Sequence, residues 1–191
     1  LLIILSIDTV GQHFGKDVSF FFNYGLLSKT FINYGKTHTI KSKENFVFVG
    51  SDAGLIVFDI SNPKNISLVE FYERRSLYEL EIVDNRIYLE SRKSYYSGLI
   101  EILDISDPMN LVLIFSLEIS TYGDIPKGFG VKNNFIFVNF ENLSVIDISN
   151  FNEPLIYDYP SITMFDLLLE DDLMYTSYFD MSIYDISDIS N

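Results

Sequence analysis

The tripeptide Asp-Ile-Ser occurs four times, at Asp59–Ser61, Asp104–Ser106, Asp147–Ser149 and Asp185–Ser187, spaced by 45, 43 and 38 residues. Each copy closes an apolar run: LIVFDIS, LIEILDIS, LSVIDIS and MSIYDIS. Two copies continue into a proline turn, DISNP at Asp59 and DISDP at Asp104. A unit recurring at this period is one supersecondary module that buries its core only by stacking on its neighbours.

Within each period the apolar residues alternate with polar ones or form short runs, which is strand spacing and not helix spacing. The second unit reads as four strands: Leu77–Val83, Arg86–Glu90, Gly98–Ile105 and Leu111–Ile119, with a loop over Ser91–Ser97. The other units repeat the pattern, and the fourth stops after MSIYDIS. The first two strands of each unit are joined at Lys43-Glu44-Asn45, Asp84-Asn85, Asn133-Asn134 and Asp171-Asp172. Asn and Asp tolerate the left-handed backbone of tight hairpins. Four antiparallel strands in repeats of about 40 residues describe the blades of an all-β β-propeller.

The same residues resemble the LVIVD repeat. Gly54-Leu55-Ile56-Val57-Phe58-Asp59-Ile60-Ser61-Asn62-Pro63 carries the resemblance best, and Gly98–Pro108 nearly as well. The third copy has Phe151 where proline is expected, and the fourth lacks proline. The likeness covers about residues 36–191. It implies a propeller scaffold, an interaction or adhesive role, and an extracellular or cell-surface setting; it implies no catalytic motif.

The repeats divide one domain, residues 1–191, into a degenerate unit at about 1–35, then 36–73, 74–120, 121–160 and an incomplete 161–191. Val18–Phe22 and Leu26–Ile32 fit the third and fourth strands of that first unit. The expectation is a partial propeller of about four to five blades, a fragment of a longer ring. The rival is a compact closure in which N-terminal strands complete the last blade.

Composition limits the partners. With no cysteine there is no disulfide and no thiolate metal site. A net charge of −14 disfavours nucleic acid and anionic membrane surfaces as partners. No apolar run reaches the roughly 18 residues of a membrane span. Neutral or cationic ligands and proteins remain, together with anything engaged by a local basic patch. No cofactor or metal motif is present. His13 and His38, both histidines of the chain, are far apart in sequence, and no nucleophile elbow or zinc signature accompanies them.

A basic patch is predicted in the second unit, which holds all four arginines, Arg74, Arg75, Arg86 and Arg92. In a propeller the loop entering a first strand and the loop joining second to third strands lie at one face. Arg74 and Arg75 belong to the former; Arg92, Lys93, Tyr95 and Tyr96 to the latter. Arg and Tyr are favoured interface anchors. The competing reading is solvated loop charge, neutralised by Glu73 and Glu79. Arg86 falls at the opposite face. Asp59, Asp104, Asp147 and Asp185 read as structural corners, with a ring of cation-binding carboxylates as the rival. Tyr24, Tyr34, Tyr72, Tyr122 and Tyr159 recur near fourth-strand ends, where they pack a sheet or stack on a sugar. The favoured function is a non-catalytic interaction scaffold. The alternative is a carbohydrate- or peptide-binding or hydrolysing propeller, marked by carboxylates or His clustered in the central channel.

Overall fold

The computed structural model describes residues 34–120, 128–140 and 142–189. The strands expected at Val18–Phe22 and Leu26–Ile32, with Tyr24 and Tyr122, lie outside the described residues. The described residues form fifteen strands in four antiparallel sheets, taken here as blades 1 to 4. Blade 1 holds β1 (Thr37–Lys43), β2 (Phe46–Ser51), β3 (Gly54–Asp59) and β4 (Ser67–Glu73). Blade 2 holds β5 (Leu77–Val83), β6 (Arg86–Ser94), β7 (Ser97–Asp104) and β8 (Val112–Ser120). Blade 3 holds β9 (Phe129–Lys132), β10 (Phe135–Asn139), β11 (Leu143–Asp147) and β12 (Leu155–Tyr159). Blade 4 holds β13 (Asp166–Glu170), β14 (Leu173–Ser177) and β15 (Met181–Asp185). Strands lie side by side in chain order within every blade. No helix among the described residues is long and apolar enough to cross a membrane.

The hairpins follow from their turn residues. Glu44, Asp84, Asn133 and Asp171 open the first turn of the four blades, and each has a left-handed φ between 48° and 53°. First strands of successive blades touch, β1 to β5, β5 to β9 and β9 to β13, so they form the inner wall of the array. Second and third strands of blades 2 and 3 sit between two neighbouring blades and, like those of blade 1, are largely buried, hence their nearly continuous apolar runs. Three cores fill the joints. Phe48 and Val57 meet Leu80 and Leu89 between blades 1 and 2; Tyr88 and Ile102 meet Phe129 and Ile136 between blades 2 and 3; Phe137 and Val145 meet Met164 and Met174 between blades 3 and 4. Cationic side chains bridge two of these joints. Lys43 donates to the Asp84 carbonyl and, at 2.6 Å, to Asn85 Oδ1. Lys132 donates to the Asp171 carbonyl and, at 2.7 Å, to Asp172 Oδ1.

One expectation needs correcting. The seven-residue loop predicted over Ser91–Ser97 is instead hairpin. Ser91 pairs with Leu99, Arg92 with Gly98 and Ser94 with Ser97, with an irregularity between Arg92 and Ser94. The polar run Arg92-Lys93-Ser94 looks like a loop because its side chains are polar, yet its backbone is paired with β7.

Candidate functional site

The long hairpin of blade 2 carries the predicted patch. Its strands β6 and β7 span nine and eight residues, against six and six in blade 1 and five and five in blades 3 and 4. The extra length lifts Tyr95 and Tyr96 to its tip, 63% and 68% exposed. The two rings meet edge to face at 4.9 Å, and the Arg92 guanidinium lies 5.9 Å from the Tyr95 ring centre. Arg92 N–H donates to the Ser76 carbonyl at 3.1 Å, which ties the hairpin to the loop holding Arg74 and Arg75. Both loops therefore emerge together, as a propeller blade requires.

The charges of the patch are unequally free. Arg75 is exposed. Lys93 pairs with Glu118 of β8 at 2.5 Å. Arg74 turns inward, donating through Nε to Glu101 Oε2 at 2.5 Å and through Nη2 to Glu101 Oε1 at 2.7 Å. It also reaches the Tyr72 hydroxyl and the Glu73 carbonyl. Tyr72 donates to Glu101 Oε1 at 3.0 Å. Glu101 is 1% exposed, so this fork satisfies a carboxylate buried in the joint between blades 1 and 2. The Glu101 bonds raise the Arg74 pKa further, and burial raises that of the Tyr72 hydroxyl. Arg74 is thus bound into the joint by Glu101, a partner the sequence reading did not consider. Arg86, at the other face, lies 5.8 Å from the Phe151 ring.

The four recurring aspartates make one and the same contact. Asp59, Asp104, Asp147 and Asp185 each accept, through Oδ1, the amide N–H two residues on, from Ser61, Ser106, Ser149 and Ser187, at 2.7 to 2.9 Å. The intervening Ile amide donates back to the first turn of its own blade, Ile60 to Asn45, Ile105 to Asn85, Ile148 to Asn134 and Ile186 to Asp172. Among the described residues no group of three His, Cys, Asp or Glu could hold a metal ion. A family model for the LVIVD repeat matches residues 34–74, 97–118 and 128–157, each stretch containing blade strands of this kind. The chain belongs to the LVIVD-repeat family. Two solved structures of designed proteins are similar to this chain in fold. The computationally designed Ika4 protein matches at TM-score 0.59 and 14% identity, over 87% of this chain and 100% of that chain. The computationally designed Ika8 protein, in a P63 crystal packing, matches at TM-score 0.55 and 14% identity, over 80% of this chain and 46% of that chain. At such identity the likeness shows the fold alone, a β-propeller. No curated protein matches the chain.

Superposing the LVIVD blades by their registers exposes one variable position on the second strand. It is Gly50 in blade 1, Glu90 in blade 2, Asn139 in blade 3 and Ser177 in blade 4. Gly50 is forced, because a Cβ there would run into Leu77 and Thr39. Asn139 is buried and donates through Nδ2 to the Met164 carbonyl of blade 4 at 2.5 Å. Glu90 has no exposed surface, and neither carboxyl oxygen has a hydrogen-bond partner among the described residues. Burial pushes its pKa well above the usual carboxylate range, and the neighbouring Glu79 pushes the same way, against Arg92. Glu79 is its cross-strand partner on β5, at the inner wall. Burial, then Asp166 of blade 4, raises Glu79 to about 7. Sequence reasoning passed over Glu90 and read Glu79 only as a neutraliser of the basic patch. A glutamate aligned with Gly, Asn and Ser in its sister blades was the available signal.

Of the other candidates, His38 Nε2 contacts Asp52 Oδ1 at 2.7 Å and its ring meets Tyr78 at 4.9 Å. That bond and the Lys36 amide lower the Asp52 pKa. Tyr34 stacks on Phe71 at 4.5 Å, and Tyr159 lies exposed beside a cavity between blades 3 and 4.

Proposed function

We propose that this LVIVD propeller is a non-catalytic interaction scaffold that binds a protein partner through the Tyr95–Tyr96 hairpin, with Arg75, Arg92 and Lys93 at its rim. One observation carries the reading: two adjacent large aromatic side chains stand in solvent at the tip of the longest hairpin among the described residues. Isolated apolar side chains on a surface are ordinary, but an aromatic pair on a rigid paired backbone loses little entropy on binding. Arg74 contributes by holding the hairpin's base, because its guanidinium is committed to Glu101. A photocrosslinking residue at position 95, compared with one at Lys64 on the opposite turn, tests this. A discrete adduct from 95 that is lost in Tyr96→Ser supports the proposal; equal or diffuse adducts from both positions overturn it.

A second reading rests on the inner wall. Glu79 and Asp166, on the first strands of blades 2 and 4, are carboxylates of the kind that a channel site for a sugar or peptide would use. Binding of a panel of oligosaccharides and short peptides, lost in Glu79→Gln and retained in Tyr95→Ser, would favour it over the first.

A further inference from the structure

We infer that the hairpin tip of blade 4 is a docking surface for a cationic segment of a partner protein, whose arginine or lysine side chains lie over the exposed rings of Tyr178 and Phe179. The site is separate from the Tyr95–Tyr96 hairpin and does not rest on that reading.

Tyr178, Phe179 and Asp180 form the turn between β14 and β15. Tyr178 N–H donates to the Asp180 carbonyl at 3.0 Å, and Phe165 N–H donates to the Ser177 carbonyl at 2.6 Å. These bonds fix the turn and the entry to β13 to one another. Three rings then run in one row: Phe165 and Tyr178 meet at 4.8 Å, Tyr178 and Phe179 at 4.4 Å. They are 51%, 44% and 84% exposed. Tyr178 holds the place of Phe140 in blade 3, one residue past Ser177 as Phe140 is past Asn139. By strand alternation it shares the face of Met174, which packs against blade 3. Phe140 is 7% exposed in its joint with blade 2, whereas Tyr178 stands out on a side where its neighbouring blade is described. Contiguous exposed apolar groups of this kind mark interaction sites.

Charge names the occupant. Lys132 is the last cationic residue of the chain; residues 133–191 hold no lysine, arginine or histidine and eleven of the 27 acidic residues. Most of the net charge of −14 therefore lies in this part of the chain. Asp166 and Asp180, the chain neighbours of Phe165 and Phe179, are exposed, and no described cation pairs with either. Elsewhere a ring has an arginine of this chain beside it: Arg74 at 4.1 Å from Tyr72, Arg86 at 5.8 Å from Phe151, Arg92 at 5.9 Å from Tyr95. Among the described residues no cation lies over Tyr178 or Phe179. A guanidinium or ammonium placed there gains the attraction of the ring face and of the nearby carboxylates together. The acidic field steers a basic partner to this end of the molecule, and the bonded turn has little freedom left to lose on binding.

The probe is a fluorescent peptide of alternating arginine and glycine, titrated against the 191-residue protein by anisotropy at physiological salt. The expected result is saturable binding with a Kd below about 1 mM, with hydrogen-exchange protection at residues 177–180. Phe179→Ala should weaken binding about threefold to fivefold, the weight of one exposed cation–π contact. That side chain is mostly in solvent, so its replacement leaves the fold intact. Asp180→Asn should weaken binding more than Asp171→Asn, which removes the same charge at the opposite face, and Tyr95→Ser/Tyr96→Ser should change nothing. Absence of saturable binding overturns the inference. So do equal losses in Asp180→Asn and Asp171→Asn, which would mean a diffuse field alone, and equal binding of a glutamine–glycine peptide or a neutral oligosaccharide. Self-association of the protein alone, abolished by Phe179→Ala in sedimentation, would give the rings to a second copy and overturn it too.

Discussion

Replacing Glu90 by glutamine should stabilise the propeller, and by an amount that grows with pH. Glu90 is fully buried beside Glu79, and its folded pKa lies well above the ordinary 4.5 because burial disfavours the charge. Below pH 4.5 both folded and unfolded chains carry the proton, and the group exerts no pH-dependent effect. Above it, the unfolded chain releases the proton while the folded chain keeps it. Stability then falls by about 1.36 kcal/mol per pH unit until the folded group itself titrates. Between pH 4.5 and 7 the loss from this one group is at most about 3.4 kcal/mol. Glu79, at about 7, adds a loss of the same sign that is complete near neutrality and is discounted for its partial exposure. Glutamine keeps the shape and never ionises, and Asn139 already places an amide at the equivalent position of blade 3. Urea unfolding at pH 4.5, 6, 7 and 8 would measure the effect. The two proteins should be similarly stable at pH 4.5 and diverge as pH rises, with the difference continuing above neutrality, where Glu79 has finished titrating. Parallel stability–pH curves for Glu90→Gln and the unaltered protein would refute the reasoning.

Arg74→Ala should cost about 3 kcal/mol in urea unfolding, because it strands the buried Glu101 carboxylate, and Arg74→Met combined with Glu101→Met should recover most of that loss. Asp104→Ala should lower the melting temperature while Asp104→Asn preserves it, since an amide oxygen can still accept the Ser106 amide. The Asp104 pKa is lowered by its Ser106 bonds, so its contribution is present above the ordinary 3.8 and is lost as pH falls through the folded value. With Glu79 and Glu90 acting in the opposite sense, a full stability–pH curve should peak on the acid side of neutrality. Gly54→Ala should cost about 1–3 kcal/mol by chemical denaturation, because Gly54 has φ +137° and a Cβ would fall on the Tyr72 carbonyl and the Arg74 amide.

The blade plan was readable because its signals are local. Turn residues that accept a left-handed φ, an aspartate that caps its own chain two residues on, and strands buried on both faces all leave marks within a few positions. β5 runs Leu77–Val83 as its alternation predicts, and the third and fourth strands of blade 2 shift by a single residue. The hairpin tip was misjudged for an equally local reason. Pattern reading tracks side-chain polarity, and in β6 beyond Ser91 the side chains are polar while the backbone remains paired. The patch face was deduced from propeller topology, but which of its charges stay free depends on partners 25 to 27 residues away, Glu118 for Lys93 and Glu101 for Arg74.

Buried glutamates show where a finer reading was possible. Glu101 interrupts Leu99-Ile100-Glu101-Ile102-Leu103, a run whose strand is covered on both faces. A carboxylate there must meet a cation or give up its charge, and Tyr72 and Arg74, at the end of blade 1, are placed to supply the partner. Glu90 is the opposite outcome of the same problem. Arg92 acts on it only at a distance, Glu79 opposes its charge, and no described group bonds it. Two glutamates in adjacent strands of one blade thus meet opposite surroundings: Glu101 is held by Arg74 and Tyr72, whereas Glu90 has no bonding partner among the described residues and burial pushes its pKa up. The difference lies in which neighbouring blade each faces, because Glu101 lies on the face turned to blade 1, where Arg74 directly follows the fourth strand, and Glu90 lies on the face turned to blade 3.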